Sequence, residues 1–303
     1  MFLDSYIQNG LLVIKAVQKV TCVPLTVLGT FIHYVFNSPV YIMIMAFMFW
    51  CVDIKKAYKL SISMIFSLFI NESLKAFLKV PRPFTVDPSV GRAVESTFSC
   101  PSGHSQSAAT FFPLLAASID KTKRWVRILI ATAIPLLVGI SRCYMGVHYP
   151  FDVLIGLGIG YVYAAGVMLF GKYPEKWLSK CRFSVKILIY AVFCYIANLC
   201  TMRNAAMSGL LLGIVSGYRL LTESKTGIFS ASTGTRLQKT LRYLLGLVVT
   251  IIVYIGLKFV LPGEESSLYN LCRFGRYFIT GFVLTYLLPK LFVKLNLAEE
   301  LSE

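Results

Sequence analysis

Three short clusters hold nearly all the residues of this chain whose types and spacing suit chemistry. The first runs Lys75-Ala-Phe-Leu-Lys79-Val-Pro81-Arg82-Pro83, the second is Pro101-Ser102-Gly103-His104, and the third runs from Ser141-Arg142 to His148 and Asp152. Together they supply cations, a hydroxyl, two imidazoles and a carboxylate, the groups needed to hold a phosphate and break its ester bond. Only three histidines occur in 303 residues, and two of them, His104 and His148, fall in these clusters.

The spacing within each cluster adds detail. Lys75 and Arg82 are seven apart, two turns of a helix, so a helix would aim both along one side until Pro81 and Pro83 end it. Taken alone, Lys75 and Lys79 read equally well as snorkelling to an interface. Ser102 precedes an apolar run and suits a helix N-cap, which leaves the N–H groups of the first turn free for an anion. His148 and Asp152 are four apart, so the carboxylate can hold one ring nitrogen and leave the other as a nucleophile. A di-metal phosphatase would need a further acidic cluster, which does not accompany these motifs, so no metal and no cofactor are expected. His33 has no partner at helical spacing and reads as structural.

Elements that position such groups must lie in a membrane. The chain is 56% hydrophobic, 15% charged and has a mean hydropathy of +0.69. A soluble domain carries about 25% charge. The expected fold is all-α, a polytopic membrane protein with about nine transmembrane helices. These are placed near 39–54, 60–79, 104–119, 126–142, 150–171, 185–202, 205–221, 241–261 and 275–293. Residues 5–20 read as an amphipathic helix lying in the interface, because Asp4, Lys15 and Lys19 do not suit a cleavable leader. No repeat divides the chain, so 1–303 is expected to be one membrane domain, with its motif core at 60–171 and further helices over 185–293.

The formal charge of +16 would point to nucleic acid in a soluble protein. Here the basic residues sit in short loops between apolar runs, and a nucleic-acid partner is not expected. Nineteen Lys and Arg residues, Lys225 among them, fall on one side of the expected spans, and nine, including Lys75, Arg82, Arg142 and Arg203, on the other. The positive-inside rule puts the richer side and the C-terminus in the cytoplasm, and all three clusters on the opposite face. Eight cysteines lack metal-site spacing, and the sequence leaves open whether Cys100 and Cys143 pair. Nothing in the sequence sets an oligomeric state.

In order, the clusters resemble the signature of the type 2 phosphatidic acid phosphatase superfamily, KxxxxxxRP, PSGH and SRxxxxxHxxxD, with every position filled over residues 75–152. The span layout is more similar to the sphingosine-phosphate phosphatase and glucose-6-phosphatase branch than to six-span members. The resemblance implies a metal-free, two-step phosphatase. Lys75, Arg82 and Arg142 would bind phosphate oxygens with Ser102 and the Gly103 N–H. His148, oriented by Asp152, would form a phosphohistidine, and His104 would protonate the leaving alkoxide and then activate water. A lipid phosphate, monoester or diphosphate, at an extracytoplasmic face, in a cell inner membrane or the endoplasmic reticulum, is the expected substrate. A sugar phosphate, or phosphate binding by a non-hydrolytic lipid transporter or scramblase, is the alternative.

Overall fold

A computed structural model describes residues 2–20, 23–36, 38–119, 121–201, 205–223 and 228–301. The first helices are α1 (Phe2–Lys19), α2 (Val23–Val35), α3 (Ser38–Cys51), α4 (Ile54–Leu78) and the short α5 (Pro83–Val86). They are followed by α6 (Gly103–Ser118), α7 (Arg124–Tyr144), α8 (Pro150–Phe170) and α9 (Lys172–Ser179). The remainder is α10 (Phe183–Cys200), α11 (Ala205–Glu223), α12 (Arg236–Val260), α13 (Tyr269–Phe282) and, after a π-helical turn, α14 (Leu288–Lys294). Two-residue strands β1 (Ile228–Phe229) and β2 (Glu300–Leu301) pair antiparallel.

Seven helical stretches among the described residues are long and apolar enough to cross a bilayer. They are Ile54–Val86, Arg124–Tyr144, Pro150–Phe170, Phe183–Cys200, Ala205–Thr222, Arg236–Val260 and Tyr269–Lys294. α2 and α3 together add an eighth if they are one span, bent by 56° at their break. Seven of the nine expected spans therefore have counterparts, while 39–54 and 104–119 fall short. The physical reason is length: the 14 residues of α3 and the 16 of α6 rise only about 21 and 24 Å, against about 30 Å of hydrocarbon. α6 also carries Ser105, Gln106, Ser107 and Thr110, all buried, which lower its hydropathy. Arg203 and Lys225, used in the charge count, lie outside the described residues, as does residue 202 at the end of one expected span.

The chain forms two compact units, residues 1–41 with 66–173, and residues 42–65 with 174–303. In the first, α8 presents Gly156 and Gly160 to the backbone of α6. A Cβ at either would lie 2.6 Å from a carbonyl oxygen, that of Ser102 or of Gln106. The four-residue spacing is the small-xxx-small device that lets membrane helices approach closely. Its register also makes α6 and α8 run the same way from the same end. α4 is tied to α6 by polar side chains at depth: Asn71 Nδ2 donates to Gln106 Oε1 at 2.9 Å, and Gln106 Nε2 to the Ser67 carbonyl at 2.7 Å. Ser67 and Thr110 share a hydrogen bond of 2.8 Å. Such groups need partners where no water is available.

α1 lies against the motif loops, its Leu11 and Ile14 buried with Val80, Val90, Cys100 and Tyr149. Gln18 Nε2 donates to the carbonyls of Val90 and Tyr144, each at 2.9 Å, and Lys15 pairs with Asp87 at 2.6 Å. Cys100 and Cys143 are both free. In the second unit α11 lays Gly209 and Gly213 on the backbone of α13, and buried Arg242 donates to the carbonyls of Trp50 and Ser230.

The α6–α8 contact yields a direct expectation. Gly156→Ala and Gly160→Ala should each destabilise the protein by about 1–3 kcal/mol through overpacking. Gly158→Ala, where an added Cβ meets nothing within 4 Å, should be neutral. Thermal unfolding in detergent checks this, and equal midpoints for all three variants would contradict the packing.

Candidate active site

The cations arrive at the site by a route the helical spacing does not anticipate. α4 ends at Leu78, Lys79 takes a left-handed conformation with φ of 49°, and Val80, which precedes Pro81, is disfavoured in the helical region. Lys75 thus sits in the last turn of α4, while Arg82 follows an extended break and caps α5. The two still converge, since Thr97 Oγ1 accepts from Lys75 Nζ at 2.9 Å and from Arg82 Nη2 at 3.0 Å. Arg82 is further fixed by the carbonyls of Thr97, at 2.6 Å from Nε, and of Val147, at 3.0 Å from Nη1.

His148 and Asp152 meet for a reason other than a shared helix face. α8 begins only at Pro150, so His148 precedes the helix and Asp152 is its third residue. The carboxylate reaches back as half of a capping box and accepts from the Tyr149 N–H at 2.9 Å. In that position its Oδ2 lies 3.4 Å from His148 Nδ1. The other ring nitrogen, Nε2, lies 3.1 Å from Arg82 Nη1. An arginine only donates, so Nε2 is the acceptor and Nδ1 carries the hydrogen that faces Asp152. Ser99 Oγ also donates to Asp152 Oδ2, at 2.5 Å. In this loop, burial holds the His148 ring below the ordinary imidazole range, even though Asp152 pulls the other way.

Gly146, with φ of +67°, makes the turn before His148 and comes so close to the Val90 carbonyl that a side chain has no room. Ser102 is the N-cap of α6, its oxygen accepting from the Ser105 N–H at 3.4 Å. Its own N–H donates to the Asp152 carbonyl at 3.0 Å, so the α6 and α8 starts are joined by backbone. Gly103 opens α6, and a Cβ there would lie 3.9 Å from Lys75 Nζ. Lys75, Arg82, Ser102, Gly103, His148 and Asp152 therefore come together around one spot.

Arg142 and His104 stand beside this group. Arg142 is wholly buried, but its Nη1 points to His33 Nδ1 at 2.7 Å, and Nη2 to the His33 carbonyl at 3.2 Å. His33, read from sequence as structural, thus holds a motif arginine, and its ring lies 6.2 Å from that of His104. His104 Nδ1 is 4.0 Å from Glu95 Oε1. Among the described residues no group of three or more His, Cys, Asp or Glu gathers in a metal-binding arrangement.

Residues 56–176 match the model described as PAP2 superfamily, and residues 205–300 match the PAP2 superfamily phosphatase, transmembrane extension. The chain carries a PAP2 superfamily domain followed by the PAP2 transmembrane extension. Phosphatidylglycerophosphatase B of Bacillus subtilis is 43% identical over 98 residues, 30% of this chain and 46% of that protein. Lipid A 1-phosphatase of Rhizobium etli is 33% identical over 131 residues, 38% of this chain and 53% of that protein. Sphingosine-1-phosphate phosphatase 2 of Mus musculus is 29% identical over 121 residues, 39% of this chain and 34% of that protein. The matched stretches span about half or less of these relatives' lengths.

All three motif clusters fall inside the PAP2 domain, as do Thr97, Ser99 and Glu95, which the sequence did not single out. Their only signal was membership of the long polar loop 80–103. Tyr6, whose hydroxyl donates to Asp152 Oδ1, and His33 lie before the domain begins, and sequence spacing links neither to the site.

Thr97→Val should separate the two cations while keeping the residue's shape and carbonyl. Losing one hydroxyl shared by two charged donors is worth about 1.5–3 kcal/mol. Affinity for inorganic phosphate, read by titration calorimetry, should fall roughly tenfold or more. Unchanged affinity would mean the hydroxyl does not set the cation spacing.

Proposed function

We propose that this protein hydrolyses phosphate esters of membrane lipids through a phosphohistidine at His148, without a divalent metal. The observation that carries the reading is the His148 ring, with Nδ1 toward Asp152 and Nε2 accepting from Arg82, whose guanidinium shares Thr97 with Lys75. That is a nucleophile whose attacking atom faces a cationic pocket. Pure phosphate binding would need the cations and not the carboxylate–imidazole pair.

In the first step Nε2 bonds to phosphorus as the phosphorus–oxygen bond to the alcohol breaks, and His104 gives its proton to the departing alkoxide. In the second, His104 takes a proton from water, the water oxygen attacks phosphorus, and the phosphorus–nitrogen bond breaks to release inorganic phosphate. Lys75, Arg82 and Arg142 would carry the charge on the equatorial oxygens, with Ser102 and the Gly103 N–H as further donors. Asp152 would stabilise the imidazolium character that His148 gains on attack. Glu95, 4.0 Å from His104 Nδ1 and so beyond hydrogen-bond length, would act on that ring through its charge.

A lipid substrate is supported by the membrane setting and by the relatives, which are named as phosphatases of three different lipids. Their common feature is the phosphate, so tail contacts are expected to tolerate variation. We place α1 in the interface from its amphipathic pattern, and the site on the extracytoplasmic face and the C-terminus in the cytoplasm from the 19-to-9 basic asymmetry. The α4 and α7 C-termini meet in one site, so the chain must recross between them, and only α6 lies there to do so. We therefore count α6 as a short crossing sheltered by α7 and α8, and with α3 the total is nine within one membrane domain.

Rapid mixing with labelled lipid phosphate followed by acid quench is expected to trap phosphate on histidine in the wild type and not in His148→Ala. Turnover should persist in excess chelator. Label surviving on His148→Ala, or turnover lost on chelation and restored by one metal, would refute the mechanism. For sidedness, in a background without native cysteines, Ser89→Cys should react with an impermeant thiol reagent on intact cells and Ser232→Cys should not. The reverse pattern would invert the topology.

A further inference from the structure

Tyr6 on α1 donates its hydroxyl hydrogen to Asp152 Oδ1, across 146 residues of sequence. The other carboxylate oxygen, Oδ2, is shared by Ser99, the Tyr149 N–H and His148 Nδ1. Tyr6 is the hydroxyl that fills Oδ1, with the Cys100 thiol beside both groups. The contact is not incidental to packing. The Tyr6 ring stands edge-on to Tyr149 at 5.5 Å and lies 5.9 Å from Phe151, so its place is set by the residues flanking the α8 start. Further along the helix, Gly10 lets α1 close on Tyr149, where an added Cβ would lie 2.5 Å from the ring. Lys15 and Gln18 then fasten α1 to Asp87, Val90 and Tyr144.

We propose that Tyr6 is a positioning residue for the nucleophile, completing from outside the PAP2 domain the hydrogen-bonding shell of Asp152. The inference rests on the phosphohistidine reading above. A carboxylate with Oδ1 unfilled in this buried setting is free to turn about its Cβ–Cγ bond or to take up a proton. Either change removes the acceptor that keeps the His148 hydrogen on Nδ1 and its lone pair on Nε2. Tyr6 thus fixes the plane of the carboxylate, and the carboxylate fixes the tautomer and aim of the ring, in the way outer partners orient histidines elsewhere. Burial and the adjoining carboxylate both raise the Tyr6 phenol well above its ordinary range, so it stays a donor at every working pH. Because α1 supplies this donor, lifting α1 from the motif loops would weaken the nucleophile without touching the phosphate pocket.

The test is Tyr6→Phe in the full chain, with single-turnover quench kinetics on a long-chain lipid phosphate. The expected result is a fall of roughly tenfold or more in the rate of phosphohistidine formation and in kcat. KM should stay within about twofold and the unfolding midpoint should be nearly unchanged, since the ring remains packed. In an Asp152→Asn background, Tyr6→Phe should add little further loss, because its effect runs through that carboxylate. Asn9→Ala, on the exposed side of the same helix, is the control and should behave as wild type. Wild-type rates in Tyr6→Phe, a loss confined to KM, or losses that add fully in the Asp152→Asn background would each overturn the proposal. A wild-type chain that forms no phosphohistidine would instead fail the catalytic reading on which it rests.

Discussion

Three buried cations whose close partners, among the described residues, are neutral oxygens and two imidazoles set the terms for the rest of the structure. Lys75 rests on Thr97, Arg82 on Thr97, the Val147 carbonyl and His148, and Arg142 on His33 and its carbonyl. Burying such charges is costly, and hydrogen bonds to neutral acceptors offset the desolvation without cancelling the charge. The one carboxylate at the centre, Asp152, is engaged by His148, Ser99, Tyr149 and Tyr6. The positive potential is therefore left for an incoming anion. At an effective dielectric near 20, two unit charges about 4 Å apart interact by about 4 kcal/mol. On the phosphatase reading proposed above, an incoming phosphate would draw Arg142 from His33 onto itself.

Holding those cations in place demands a stiff frame around polar groups. The paired glycines of α8 bring its backbone onto α6, and the Asn71–Gln106–Ser67–Thr110 chain joins α4 to α6. Each device acts within a few residues of a motif position: Asn71 is one turn from Lys75, and Gln106 one turn from Ser102. Backbone does the rest, through the Ser102 N–H on the Asp152 carbonyl. Side-chain placement at the site is thus a consequence of how closely three helices are allowed to approach.

What was legible in the sequence was whatever depends on local pattern. Long apolar runs marked seven stretches that are indeed long and apolar enough to span, and Ser102 before such a run marked the α6 N-cap. The six residues that converge, Lys75, Arg82, Ser102, Gly103, His148 and Asp152, were all named by spacing and resemblance. The geometry behind two of the spacings was misread. The seven-residue step from Lys75 to Arg82 is bridged by an extended break at Pro81, and the four-residue step from His148 to Asp152 by a capping box. Contacts made over long sequence distances were invisible: Tyr6 on Asp152, His33 on Arg142, and Thr97 between two cations. None has a periodicity, and two come from helices upstream of the family domain. Short, partly polar α6 was taken for an ordinary span because its buried neighbours, which shelter its serines and glutamine, do not show in a hydropathy pattern.

The most direct measurement is an experimental structure of the protein with orthovanadate, whose trigonal bipyramid mimics phosphorus in transit. The account predicts vanadium at bonding distance from His148 Nε2, equatorial oxygens on Lys75, Arg82 and the Gly103 N–H, and Arg142 turned from His33 onto the anion. Vanadate bound elsewhere, or in the pocket with His148 Nε2 facing away and Arg142 still on His33, would contradict it.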